Sequence, residues 1–139
     1  ILPSLTTGPV NAAVIAVAER AATLLVFLAH WCPHCQAEVP RVVAWHDAGQ
    51  APADLDVIGV ITGTDATLPN YPPSSWLVRE EWPFPTLVDD GSSSAMAVFG
   101  FQNFPAFALI DANGVVQYRA TGEIEMTDLD AVLASKLGL

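Results

Sequence analysis

The sequence predicts an α/β architecture: a central mixed sheet flanked by helices. Three observations carry this. The apolar run Leu24–Ala29 leads straight into Cys32-Pro33-His34-Cys35 and a helical stretch. Strand-like runs then alternate with helical segments along the chain. Near the C-terminus, Asp111-Ala112-Asn113-Gly114 separates two strand-like runs, as the connection of an antiparallel hairpin does.

In chain order, residues 1–22 read as an irregular lead-in and residues 23–137 as the core of a single domain. Pro3, Gly8 and Pro9 break up the first nine residues. Residues 10–21 mix alanine, which favours helix, with Val14, Ile15 and Val17, which favour strand, so both readings stay open. Leu24–Ala29 is apolar on both faces, as a central strand covered by helices must be. A helix follows from Pro33 to about Gly49, with Pro40 inside it as a source of a kink. The run from Asp54 to Ile61 is the next strand, and a crossover through that helix implies a parallel pair. Pro69-Asn70-Tyr71-Pro72-Pro73 is a connector. A short helix from Ser74 to about Glu81 comes next, with Ser74 or Ser75 as its cap.

Pro85–Val88 is a short strand ending at Asp89-Asp90-Gly91. Ser92-Ser93-Ser94 caps a helix to about Phe99, which Gly100 stops. Ala106–Ile110 and Val115–Ala120 form the hairpin. Asp128–Leu137 closes the chain as a helix with Leu129, Val132, Leu133 and Leu137 on one face.

Composition narrows the function. At 139 residues the chain is long enough to bury one core. Fifteen acids against five bases give a net charge of −10, which argues against nucleic acid and anionic membrane surfaces as partners. Residues 12–29 are apolar but interrupted by Glu19, Arg20 and Thr23, too broken for a membrane span. A basic leader is absent, and the start at Ile1 rather than Met is equally compatible with removal of a signal peptide or anchor from a longer precursor and with an arbitrary boundary.

Both cysteines lie in one Cys-x-x-Cys. A bridge across so short a span removes little chain entropy, so a reactive pair is a better reading than a structural staple. A strand feeding such a pair at a helix start is a redox motif. Pro33 suits the first helical position because its missing N–H would be unsatisfied there anyway. The remaining N–H groups and the helix dipole favour a thiolate at Cys32. Cys32 is therefore the candidate nucleophile and the more exposed sulfur; Cys35, one turn inside, resolves the mixed disulfide. Glu38 lies a further turn on, on the same side, where a buried carboxyl would carry a proton. Trp31 packs beside the pair and offers aromatic bulk to a substrate. His30 and His46 read as surface or partly buried residues, and Arg79, Glu80 and Glu81 as a solvated helix face. A metal site from the cysteines and a histidine lacks a fourth ligand. Haem attachment would need His where Gln36 stands.

The segment from Phe27 to Pro40 resembles the active-site segment of thioredoxin-fold proteins. More narrowly, it is similar to the extracytoplasmic TlpA/ResA-like branch with its W-C-x-x-C-x-x-E-x-P pattern. The likeness continues in Phe104-Pro105-Ala106 and the strand to Asp111, and spans roughly residues 23 to 137. It implies a thioredoxin fold with a TlpA-type central insertion. It also implies thiol–disulfide exchange with protein thiols and disulfides outside the cytoplasm, with no cofactor, a membrane electron donor or acceptor, and a monomer. Glu38 matches the branch's glutamate. Val26 stands where cytosolic thioredoxins carry a buried acid. Pro105 matches the proline that follows a cis bond and faces the disulfide, and Phe104 departs from the Val, Ile or Thr usual before it. Pro33-His34 matches the redox-tuning dipeptide of oxidising DsbA-type enzymes, whose large helical insertion this chain lacks. Two alternatives stand beside exchange on general protein substrates: a reductant for apocytochrome c maturation, and a non-enzymatic redox or metal-binding module using the same dithiol.

Overall fold

Strand β1 (Ala22–Leu28) is the axis of the molecule. In the computed structural model, which describes residues 22–139, it is the middle of a five-stranded sheet of order β3-β2-β1-β4-β5. Helix α1 (Pro33–Asp47) follows, then β2 (Leu55–Ile61), α2 (Pro73–Arg79), β3 (Thr86–Val88), α3 (Ser94–Val98), β4 (Ala106–Ile110), β5 (Val116–Thr121) and α4 (Met126–Leu137). β1 runs parallel to β2, with Ala22 opposite Leu55, and antiparallel to β4, with Phe27 opposite Ala106. The right-handed preference for β-α-β crossovers explains why α1 can join β1 to a parallel neighbour. The tract 10–21, open to both helix and strand readings, lies outside the described residues, and the core begins at Ala22.

Side chains alternate across β1, and both sets are apolar. Leu24, Val26 and Leu28 pack with Val39, Val42 and Trp45 of α1 and with Leu129 and Leu133 of α4. Leu25 and Phe27 pack on the other face with Ala95 and Met96 of α3 and with Phe101. Trp45 Nε1–H donates to Asp130 Oδ1 at 2.8 Å and ties α1 to α4.

Helix ends differ from the sequence expectation in instructive ways. α1 stops at Asp47, because Gly49 takes φ +74°, a left-handed conformation glycine adopts freely. α2 starts at Pro73 with Pro72 as its N-cap, and neither Ser74 nor Ser75 caps it. It reaches only Arg79, since Glu81 turns left-handed and Trp82 N–H closes on Leu77 O. The serines do not cap α3 either. Asp90 Oδ1 accepts from Ser92 and Ser94 N–H, while buried Asp89 accepts from Ala95 and Met96 N–H. A carboxylate is the stronger acceptor for orphan helix donors, so the acids displace the hydroxyls. The hairpin closes through Gly114 at φ +81°, with Asp111 Oδ1 accepting from Asn113 and Val115 N–H. α2 and β3 occupy the place of the central insertion, between β2 and α3.

Candidate active site

The site forms where β1 ends. Ala29, His30 and Trp31 turn the chain, Cys32 N–H bonds Ala29 O at 3.1 Å, and Cys32 becomes the N-cap of α1 with extended backbone. Pro33 occupies the first helical turn. Both cysteines are free thiols. Cys32 retains 8% exposure and Cys35 none, so the residue at the helix start is the more accessible of the two. Cys35 Sγ accepts the backbone N–H of Ala29 at 3.4 Å. Burial pushes the Cys35 thiol far up; the Ala29 N–H opposes this, and the neighbouring Cys32 and Glu38 add to it. At neutral pH Cys35 therefore holds its proton, and a base must take it before this sulfur can attack.

Glu38 is fully buried, one turn beyond Cys35. A surface-helix glutamate is thereby excluded. Its Oε2 accepts the Ile124 N–H at 2.5 Å, and its Oε1 lies 3.4 Å from Arg41 Nη1. Burial raises the carboxyl above its ordinary range, against the downward pull of Ile124 and Arg41. A buried acid with a raised pKa beside a thiol with a raised pKa is a pair suited to passing a proton.

His34 projects into solvent, and its Nδ1 meets Glu123 Oε2 at 2.7 Å. Glu123 also reaches Arg41 Nη1 at 3.0 Å through Oε1. The His34 hydrogen bond, with Arg41 behind it, holds the Glu123 carboxyl below its usual range. Glu123 escaped the sequence reading. It lies in the turn between β5 and α4, 89 residues from His34, and nothing in its neighbourhood marks it.

Trp31 is half-buried, donates Nε1–H to Gly63 O at 2.8 Å and meets the Phe104 ring edge-on, centroids 5.8 Å apart. The Phe104–Pro105 peptide is cis. Because Phe27 pairs with Ala106, Pro105 sits at the same end of the sheet as the cysteines. Trp31, Gly63 and Phe104 thus form one wall beside the dithiol; a Cβ on Gly63, itself at φ +68°, would meet both rings.

His30 corrects the expectation of a surface or partly buried histidine: it is fully buried. Its Nδ1 lies 2.6 Å from Pro69 O, which only accepts, so Nδ1 carries the proton. Its Nε2 accepts from Asp65 N–H at 3.1 Å, and its carbonyl accepts from Gln36 and Asn70 side chains. His30 pins the connector 65–70 against the active-site turn. His46 stays exposed beside Asp47. Among the described residues, no group of three or more His, Cys, Asp or Glu is placed to hold a metal ion, and no helix is long and apolar enough to cross a membrane.

A redoxin family model matches residues 2–133, nearly the whole chain. The chain belongs to the redoxin family. Similar solved structures have the same fold. A thiol:disulfide interchange protein of the thioredoxin family from Chlorobium tepidum superposes with TM-score 0.70 at 20% identity, over 88% of this chain and 84% of that one. A secreted Mycobacterium tuberculosis disulfide oxidoreductase gives 0.67 at 22%, over 86% and 85%. The exposed lipoprotein thioredoxin of Streptococcus pneumoniae gives 0.68 at 24%, over 90% of each. Curated protein sequences give no significant match. This redoxin has a thioredoxin fold with a Cys-x-x-Cys at the head of α1, and it is a thiol–disulfide oxidoreductase.

Proposed function

We propose that this redoxin exchanges a Cys32–Cys35 dithiol and disulfide with protein substrates outside the cytoplasm. The observation that carries this is the asymmetry of the pair: Cys32 at the helix cap with residual exposure, Cys35 buried with its thiol pushed up. Running as a reductant, the Cys32 thiolate attacks one sulfur of a substrate disulfide, and the other sulfur leaves with the bonding electrons. Cys35, its proton taken up by the Glu38 carboxylate, then attacks Cys32 Sγ. This forms the Cys32–Cys35 disulfide and releases the second substrate thiolate. Two electrons pass to the substrate, and the reverse sequence oxidises a dithiol. The Trp31–Phe104 wall and the backbone at Pro105 receive the substrate chain, with the Phe104 ring narrowing access. One similar structure is of a secreted oxidoreductase and another of an exposed lipoprotein, which supports action outside the cytoplasm.

Cys35→Ser should trap substrates as mixed disulfides through Cys32, and Cys32→Ser should trap none. Trapping by Cys32→Ser would reverse the assignment. The reduction potential sets the direction: near about −270 mV the protein reduces its substrates, and near about −120 mV it oxidises them.

A further inference from the structure

The contact between His34 and Glu123 is the best-formed polar contact at the mouth of the site that the exchange chemistry above leaves unused. Two adjacent residues of the β5–α4 turn grip the first three turns of α1: Glu123 takes His34 and Arg41, and Ile124 takes Glu38. The charged groups facing one another there are His34, Glu38 and Arg41 from α1, with Glu123 and Glu125 from the turn. The side-chain carboxylate of Glu123 only accepts, so the neutral His34 ring must carry its proton on Nδ1. Nε2 is then the bare nitrogen of the neutral ring. His34 is exposed and stands two residues after Cys32 in the first turn of α1, so the ring is open to solvent at the helix end that carries Cys32.

We propose that Glu123 is a positioning residue for His34, holding the ring by Nδ1 so that Nε2 delivers a proton to the sulfur leaving a substrate disulfide. The inference rests on the reading that Cys32 attacks that disulfide. When the Cys32–substrate S–S bond forms and the substrate S–S bond breaks, the departing sulfur carries the electron pair as a thiolate. The imidazolium of His34 gives it the Nε2 proton and becomes the neutral Nδ1–H ring, the form that Glu123 holds. Solvent returns the proton before the next turnover. A neutral leaving thiol cannot re-attack the mixed disulfide, so the forward step is favoured. The arrangement follows the general pattern of a proton-transferring histidine oriented by a carboxylate.

Two readouts test this on the full chain, with oxidised glutathione as the disulfide. Nitrogen NMR of neutral His34 should show the Nδ1–H tautomer in the wild type. Glu123→Ala should return it to the Nε2–H form that free histidine prefers. In single-turnover reduction of oxidised glutathione, Glu123→Ala and His34→Ala should each slow the step by about tenfold. That is below the 10²–10⁴ of full general acid–base catalysis because His34 is exposed to water. The double variant should be no slower than either single one. Glu123→Gln, whose amide oxygen still accepts from Nδ1, should restore the tautomer and most of the rate. An Nε2–H tautomer in the wild type, additive rate losses, or a Glu123→Gln variant as slow as Glu123→Ala would each overturn the proposal. Cys32→Ser separates the two claims: persisting reduction there refutes the assigned nucleophile, whereas the tautomer and the His34 dependence report on Glu123 alone.

Discussion

The backbone N–H of Ile124 meets Oε2 of Glu38 at 2.5 Å, across 86 residues of sequence. This bond stops a buried carboxylate from being wholly uncompensated. Burial nonetheless outweighs it, and the Glu38 carboxyl stays above its ordinary range. A carboxyl in that condition keeps its proton to a higher pH than a free glutamate does.

The stability of the protein should carry the signature of Glu38. Its folded-state pKa is raised, so between the ordinary carboxylate value of about 4.3 and the raised one the folded state binds more protons than the unfolded state. Its contribution is therefore fully present below that range and is lost as pH rises through the folded value. Denaturant unfolding of wild type and Glu38→Gln across about pH 4 to 9 should show the difference between them shifting in favour of Glu38→Gln as pH rises. A pH-independent difference would contradict the raised value. The pH–rate profile of exchange should change in the same variant, because Gln cannot take the Cys35 proton.

His30→Ala should destabilise the protein by about 2–4 kcal/mol. It empties a buried site and strands the Asp65 N–H and Pro69 carbonyl that the ring now satisfies. Hydrogen exchange should locate the damage, with Asp65 N–H exposed well before the amides of β1. Uniform acceleration across the sheet would argue against a local latch.

Asp89→Ala should cost about 2–4 kcal/mol, since Ala95 N–H, Met96 N–H and the Thr62 hydroxyl all lose their acceptor in a buried place. Ser93→Ala and Ser94→Ala should each cost less, at most about 1 kcal/mol, because neither hydroxyl caps a helix N–H and Ser94 loses only its exposed hydrogen bond to Asp90. Chemical denaturation of the three variants distinguishes carboxylate capping from hydroxyl capping. Equal losses would restore the serines as caps.

Phe104→Val should widen access beside Cys32 by removing the ring that meets Trp31 edge-on. Rates with a bulky protein disulfide should rise relative to those with oxidised glutathione, by about threefold to tenfold if the ring costs roughly 1 kcal/mol of fit. An unchanged ratio would remove Phe104 from the substrate wall.

The sequence by itself determined β1, the α1 start, the order of the strands that follow and the hairpin. Each rests on neighbouring residues: two-sided apolar runs, Pro33 after Cys32, and Gly49, Gly100 and Gly114 in left-handed conformations. It also placed Cys35 and Glu38 on one helix face, because one turn of spacing is a local property. Tertiary structure decided what local spacing does not encode. Whether Glu38 is buried depends on α4 and the turn before it, and whether His30 is buried depends on the connector that folds back over β1. The caps of α3 went to Asp89 and Asp90 because β3 delivers their carboxylates to the helix start. Glu123 became a partner of His34 only when β5 ran antiparallel to β4 and brought its end to the head of α1. Burial and charge pairing arise where distant segments meet in space, and a single chain read in order holds no distance between them.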